Sequence, residues 1–168
     1  AIDTDGNLLA CGTFGGTVNF GGVTLTTPST SDLDCFVVKY NTSGTVLWAK
    51  QFGSRAAGSD LANSITTDQT GNVYVTGDYY SKIGIANDTL TNFNALSAIY
   101  LVRYSPTGTY EWALNGTSTN QNFSRQVVCD PGIERRSRFF QQCKLLDPGI
   151  ARRGHRQLAC FFVEARRN

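Results

Sequence analysis

Along the first 130 residues the apolar positions alternate with polar ones in short runs. The run Ala62–Thr67 alternates and stops at Asp68. Val73–Thr76 is rich in β-branched and aromatic residues, which suit a pleated, half-buried surface. Ile99–Tyr104 reads as a third strand and Tyr110–Leu114 as a fourth. Turn formers stand between them. Gly71-Asn72 lies where a tight reversal needs residues tolerant of positive φ, and Ser105-Pro106-Thr107-Gly108 places Pro and Gly where a turn uses them. No window of helical length in residues 1–130 shows a 3.6-residue period. The pattern predicts hairpins and no helix.

The runs repeat. Asp3-Thr-Asp-Gly6-Asn7-Leu-Leu-Ala-Cys-Gly12 aligns with Asp68-Gln-Thr-Gly71-Asn72-Val-Tyr-Val-Thr-Gly77 at an offset of 65 residues. FVVKYNTSGTVLWAK at 36–50 aligns with YLVRYSPTGTYEWAL at 100–114 at an offset of 64. Lys39 thereby matches Arg103, Tyr40 matches Tyr104, Gly44 matches Gly108 and Trp48 matches Trp112. A third copy begins at Val127-Val128-Cys129-Asp130. Four antiparallel strands per repeat of this length predict an all-β chain of propeller blades. One such sheet cannot bury both faces alone, so neighbouring blades must cover it. The matched Trp48 and Trp112 are expected in that inter-blade core, because large aromatics supply most of the buried area. Residues 1–130 are expected to form about two blades, with repeat 1 at about 3–67, repeat 2 at about 68–129 and the start of a third at 127–130.

The spacing D-x-x-G-N-x-x-x-x-G followed by F-V-V-K-Y-N-x-x-G-x-x-x-W-A-K-Q-F-G resembles the bacterial β-propeller repeat called SBBP. The first copy supplies Asp3, Gly6, Asn7, Gly12, Asp34, Phe36, Lys39, Tyr40, Gly44, Trp48, Ala49 and Gly53. The second departs from it at Arg103 and at Leu114-Asn115-Gly116. The resemblance implies a propeller in a secreted or cell-surface protein, with no general catalytic residues to carry over.

Composition changes the picture at one point. The chain has 168 residues and a net charge of +2, but residues 1–130 hold six basic and ten acidic residues, while residues 131–168 hold nine basic and three acidic. A reversal of sign calls for a boundary. Eight of the nine basic residues in the tail are Arg, and strand alternation stops just after Asp130. Residues 131–168 are therefore read as an irregular Arg-rich tail, frameshifted or disordered. Read one base later, Phe139–Leu145 permits Phe-Phe-Asn-Ser-Ala-Asn-Phe, a segment of the kind seen at Thr13–Phe20. No Met is present and the chain opens at Ala1-Ile2-Asp3 inside a strand-like run, which predicts a fragment of a larger protein. Two blades cannot close a ring of about four to eight, so residues 1–130 alone are expected to expose an unpaired blade face. The remaining blades of the parent propeller are then its first partners. No apolar run is long enough to span a membrane.

Candidate chemistry is sparse. Asp3, Asp5 and Asn7 have oxygen ligands at alternate positions with Gly6 at the bend, a weak calcium-loop pattern. The second copy has Gln69 and Thr70 there, which favours an Asx-type turn. Asp32 and Asp34 read as solvated loop acids, and the lone His155 has no sequence partner. Cys11, Cys35 and Cys129 lie in apolar runs as small buried hydrophobes, and Cys143 and Cys160 belong to the tail. No catalytic residue and no cofactor is expected. The repeat signature (Gly6, Asn7, Gly12, Lys39, Tyr40, Gly44, Trp48, Gly71, Asn72, Gly77, Arg103, Tyr104, Gly108, Trp112) is read as structural.

The favoured function is a non-catalytic extracellular module that binds a protein or carbohydrate through loops 13–34 and 78–98, where the copies differ most. A quinoprotein-like propeller enzyme is the alternative, because Gly44–Trp48 resembles the G-x-x-x-W motif of that group. A third reading, not favoured, is nucleic-acid binding through the Arg-rich tail. The frameshift is tested by resequencing the locus. A single-base correction near codon 131 is expected to restore a third repeat; an intact frame with the Arg codons confirmed would contradict it.

Overall fold

The computed structural model describes residues 1–28, 31–54, 59–93, 96–116, 124, 126–129, 138–142 and 160–164. These are all-β and antiparallel in every ladder. The strands are β1 (Leu8–Phe14), β2 (Thr17–Asn19), β3 (Thr24–Thr26), β4 (Asp34–Tyr40) and β5 (Val46–Phe52) in the first repeat. The second sheet takes β6 (Leu61–Thr67), which the repeat boundary near residue 67 counts with the first copy, and its segment continues with β7 (Val73–Tyr79), β8 (Lys82–Ile85), β9 (Asp88–Thr91), β10 (Ala98–Tyr104) and β11 (Tyr110–Gly116). In the tail, β12 (Arg138–Gln142) pairs with β13 (Cys160–Glu164), and the rest of residues 131–168 lies outside the described residues.

The second repeat is a four-stranded sheet in the order β11-β10-β7-β6. The first is three-stranded, β1-β4-β5, where four strands are expected from the repeat. Its innermost strand is represented by Ala1 and Ile2: Ala1 exchanges two backbone hydrogen bonds with Leu9, and Ile2 bridges Leu8. The expected strands of both sheets are otherwise in place. The short hairpins β2–β3 and β8–β9, which the alternation does not predict, stand in equivalent positions in the two loops.

The repeats share a backbone in detail. Register shifts fall between Lys39 and Tyr40 and between Arg103 and Tyr104, at matched positions. Gly6, Gly44, Gly71 and Gly108 all turn at φ near +80° (81°, 81°, 80° and 79°), a left-handed conformation that glycine adopts without a steric cost. Gly12 and Gly77 are conserved between the copies for a different reason. Gly12 stands opposite Phe36 and Gly77 opposite Tyr100 in register. A Cβ on Gly12 would come within 2.7 Å of the Phe36 ring, and one on Gly77 within 2.5 Å of the Tyr100 hydroxyl and 1.6 Å of the Leu61 carbonyl oxygen. The aromatic of one strand thus lies over the bare backbone of its neighbour.

A single apolar cluster joins the two sheets. Leu9, Cys35, Val37 and Phe52 come from the first repeat, and Val73, Val75, Tyr79, Tyr100, Val102 and Tyr104 from the second. The Phe52 and Tyr100 rings meet edge to face at 5.6 Å, an arrangement favoured by the ring quadrupoles. Inner strand β6 lies against β1, with the Thr13 hydroxyl donating to the Asp60 carbonyl at 3.3 Å.

The glycine geometry predicts two outcomes. Gly12→Ala is expected to cost about 1–3 kcal/mol and to be largely rescued by Phe36→Leu, because the obstruction is a movable ring. Gly77→Ala is expected to cost more and to resist rescue by Tyr100→Leu, because the Leu61 backbone blocks the space. Urea denaturation of the single and double variants measures both, and equal rescue at the two sites would contradict this geometry.

Candidate functional site

Each blade has two unlike ends. At one end lie the tight turns Asp3–Asn7, Asn41–Thr45, Asp68–Asn72 and Ser105–Thr109. At the other lie the long connections that contain β2–β3 and β8–β9, together with the starts of β4 and β6. The weak calcium candidates belong to the turn end. Asp3 Oδ1 accepts the amides of Asp5 (3.0 Å) and Asn7 (2.9 Å), forming an Asx turn. Asp3 Oδ2 accepts the Asn7 side chain at 3.0 Å and meets Lys39 Nζ at 2.8 Å. An ammonium therefore stands beside the carboxylate where a metal would sit. Burial works against the charge on Asp3, but the Lys39 ammonium and the Asn7 donors outweigh it and hold the carboxyl down at about 2. Asp68 repeats the turn, accepting Thr70, Asn72 and Tyr74 instead of a lysine.

Lys39 and Trp48 also reach across to the second blade. Both donate to the Pro106 carbonyl, Lys39 Nζ at 3.2 Å and Trp48 Nε1 at 3.1 Å. The Trp48 indole lies where a Cβ on Gly108 would be, at 2.7 Å, and its ring stands 6.3 Å from that of Tyr104. Gly108, Tyr104 and Trp48 are thus parts of the blade-to-blade fit. In the second blade Arg103 lies over the Tyr74 ring at 5.7 Å, and Trp112 packs edge to face on the same ring at 6.2 Å.

The loop end holds the remaining polar groups. Asp32 and Asp34 are buried, which corrects the expectation of solvated acids. For Asp34 the cause is not local: its Oδ2 accepts Gln51 Nε2 at 2.6 Å from the neighbouring strand, and a Cβ on Gly53 would fall 2.1 Å from its Oδ1. Among the described residues that Oδ1 has no hydrogen-bond donor. Asp60, at the start of β6, accepts the Ser54 amide at 2.6 Å. Burial pushes the Asp60 carboxyl up to about 6, the nearby Asp34 and Asp32 charges add to this, and the Ser54 donors oppose it. Among the described residues no group of three or more His, Cys, Asp or Glu is placed to hold a metal.

Two loops project from this end. In the first, Gly16 and Thr27 are clamped by reciprocal bonds that include Gly16 N to Thr27 Oγ1 at 2.7 Å. In the second, the buried Asn92 takes the Thr27 position, bonding its amide to the Ser81 carbonyl at 2.8 Å and its side chain to the Tyr80 carbonyl at 2.7 Å. The neighbouring positions differ in kind. Gly15 and Pro28 of the first loop correspond to Tyr80 and Phe93 of the second, which are 48% and 94% exposed. The alternation of the sequence did not distinguish this aromatic pair from core residues. Cys11, Cys35 and Cys129 are free thiols, with Cys35 fully buried beside the Tyr100 hydroxyl at 3.5 Å. Cys143 and His155 lie outside the described residues, and Cys160 begins β13.

Comparison with known proteins agrees with this architecture. Residues 47–78 match the family described as Beta-propeller repeat, SBBP. The matched segment runs from β5 through β6 into β7 and so straddles the junction between the two blades. The chain is also similar to an uncharacterized WD repeat-containing protein of Acanthamoeba polyphaga mimivirus, 31% identical over 149 residues. That alignment covers 77% of this chain, and the chain spans 10% of the relative's length.

Asp60 gives a prediction with a definite sign. Its folded value near 6 lies above the ordinary 3.8, so the folded chain holds this proton more tightly than the unfolded one. The associated stability is present below about pH 4 and is lost as pH rises through 6. Asp60→Asn is expected to remove that decline while still accepting the Ser54 amide. Denaturant midpoints across pH 4–7 check this, and an unchanged slope in the variant would contradict it.

Proposed function

We propose that this propeller-repeat chain is a non-catalytic extracellular module that presents ligand-binding loops on a repeated scaffold. The observation that carries this reading is the contrast between the two repeats. Strands β1, β4 and β5 correspond to β7, β10 and β11, and the bulges after Lys39 and Arg103 and the tight turns fall at matched positions, while loops 13–34 and 78–98 differ in sequence on a similarly clamped framework. Variable loops on a constant scaffold are where recognition sits. Tyr80 and Phe93 offer exposed aromatic surface at that end, with the backbone beneath them fixed by Asn92. Aromatic faces of this kind suit the apolar face of a sugar or a side chain of a protein partner. A secreted or cell-surface location is part of the same proposal and rests on the repeat resemblance.

The test probes labelled chain against a glycan array and a displayed-peptide library. At least one ligand class is expected to be retained, with affinity falling about tenfold or more in Tyr80→Ser with Phe93→Ser. Binding that ignores both loops, or substrate turnover by the purified chain, would contradict the proposal.

A further inference from the structure

Each of the two repeats folds the hairpin of its loop back along its own outermost strand. In the first, Gln51 of β5 exchanges two hydrogen bonds with the Thr26 backbone, and a Cβ on Gly21 at the hairpin tip would lie 3.5 Å from Val46 at the start of β5. In the second, the matched Asn115 of β11 donates to the Thr91 carbonyl at 3.2 Å, and the Tyr110 hydroxyl at the start of β11 donates to Asp88. On its other side this hairpin meets the first blade, where Gly84 and Gly53 exchange backbone hydrogen bonds just beyond β5. The β8–β9 hairpin is therefore wedged between the outermost strands of neighbouring blades, on the outer rim. A further blade would meet the end of β11 as Gly84 meets Gly53. The hairpin tip lies beside Tyr110, at the opposite end of that strand, and stays free.

That tip carries a modification motif. Ile85 and Asp88 pair across a two-residue turn, Ala86-Asn87, whose first residue stands at φ 54°, as in a type II′ turn. Asn87-Asp88-Thr89 is an Asn-x-Thr acceptor sequence for N-linked sugar. Ala86, Asn87, Asp88 and Thr89 are all exposed, and the Asn87 side chain makes no hydrogen bond among the described residues. Other matches to the pattern are differently placed. Asn122 lies outside the described residues. Asn115 of Asn115-Gly116-Thr117 gives its side-chain N–H groups to the Thr91 carbonyl and the Tyr79 hydroxyl, both at 3.2 Å, so a sugar there would break a tie between β11 and its hairpin. Asn41 of Asn41-Thr42-Ser43 lies in a tight turn, its Oδ1 accepting the Ser43 and Thr45 amides and the Ser43 hydroxyl. The matched turn of the second repeat is the one that Trp48 covers at the blade junction.

We propose that Asn87 is an N-glycosylation site, the acceptor of a sugar chain transferred from a lipid-linked diphosphate donor. A bond forms between Asn87 Nδ2 and the anomeric carbon of the sugar. The bond from that carbon to the diphosphate oxygen breaks, its electron pair leaves with the diphosphate, and one Nδ2 proton passes to base. The site also has a use. β11 is the edge of its sheet among the described strands, and Leu114 on it is exposed. Edge strands invite pairing with other chains, and a bulky, solvated sugar beside one opposes it. The inference rests on the extracellular reading, because such donors are met on the export route.

For the test, the full chain is expressed behind a cleavable secretion leader in cultured eukaryotic cells, and folded chain is isolated from medium and cells together. Enzymatic release of an N-linked sugar turns the linked Asn into Asp, so peptide mass spectrometry reads each acceptor separately. Asn87 is expected to be occupied in most of the folded chain, and Asn41 and Asn115 in little of it. Thr89→Ala is expected to abolish occupancy at Asn87 without moving the far-UV circular dichroism spectrum, and Thr89→Ser to retain it in part. An unoccupied Asn87, occupancy there no greater than at Asn41 or Asn115, or occupancy that survives Thr89→Ala would overturn the proposal. Because the leader imposes the route, an empty Asn87 counts against this site alone. The extracellular location is read separately, by fractionating the source cells.

Discussion

The structure depends on one contact, the Trp48 indole laid against Gly108 with its N–H on the Pro106 carbonyl. A four-stranded sheet has two faces, and neither can be left in water without losing the apolar burial that drives folding. Trp48 couples the two sheets at their outer strands, and the Phe52–Tyr100 pair couples them nearer the loop end. Lys39 ties this contact to the Asp3 turn, because its ammonium bonds the same carbonyl and the Asp3 carboxylate. A buried ammonium is tolerable only when paired and hydrogen-bonded in this way.

Within each sheet the constraint is space. Gly12 and Gly77 exist so that Phe36 and Tyr100 can lie across their backbones, and Gly53 exists so that Asp34 can turn inward. The repeat signature is therefore a set of steric vacancies and the groups that fill them. That is why these glycine positions read as structural.

Much of this was legible in the sequence because it is local or periodic. Alternation marked the long strands, positive-φ glycines marked the turns, and the 64- and 65-residue offsets marked the repeat. The hairpins β2–β3 and β8–β9 were not legible, since strands of three or four residues carry too little alternation to stand out. Their signal lies in the matched clamps, Thr27 on Gly16 and Asn92 on Ser81, which become apparent only once the loops are aligned. The burial of Asp32 and Asp34 was invisible for another reason. For Asp34 it is set partly by Gln51 of β5 and by Gly53 just beyond that strand, both distant in sequence. The exposed Tyr80 and Phe93 look like core residues by type, and only the fold turns them outward.

If the blades share one core through Trp48, they must unfold together, and Trp48 reports on their junction. Trp48 fluorescence in a Trp112→Phe chain, which keeps that junction intact, is compared with the far-UV circular dichroism of the same chain during denaturation. The two transitions are expected to coincide. A fluorescence transition that departs from that of the whole chain would show blades folding independently and would contradict the account.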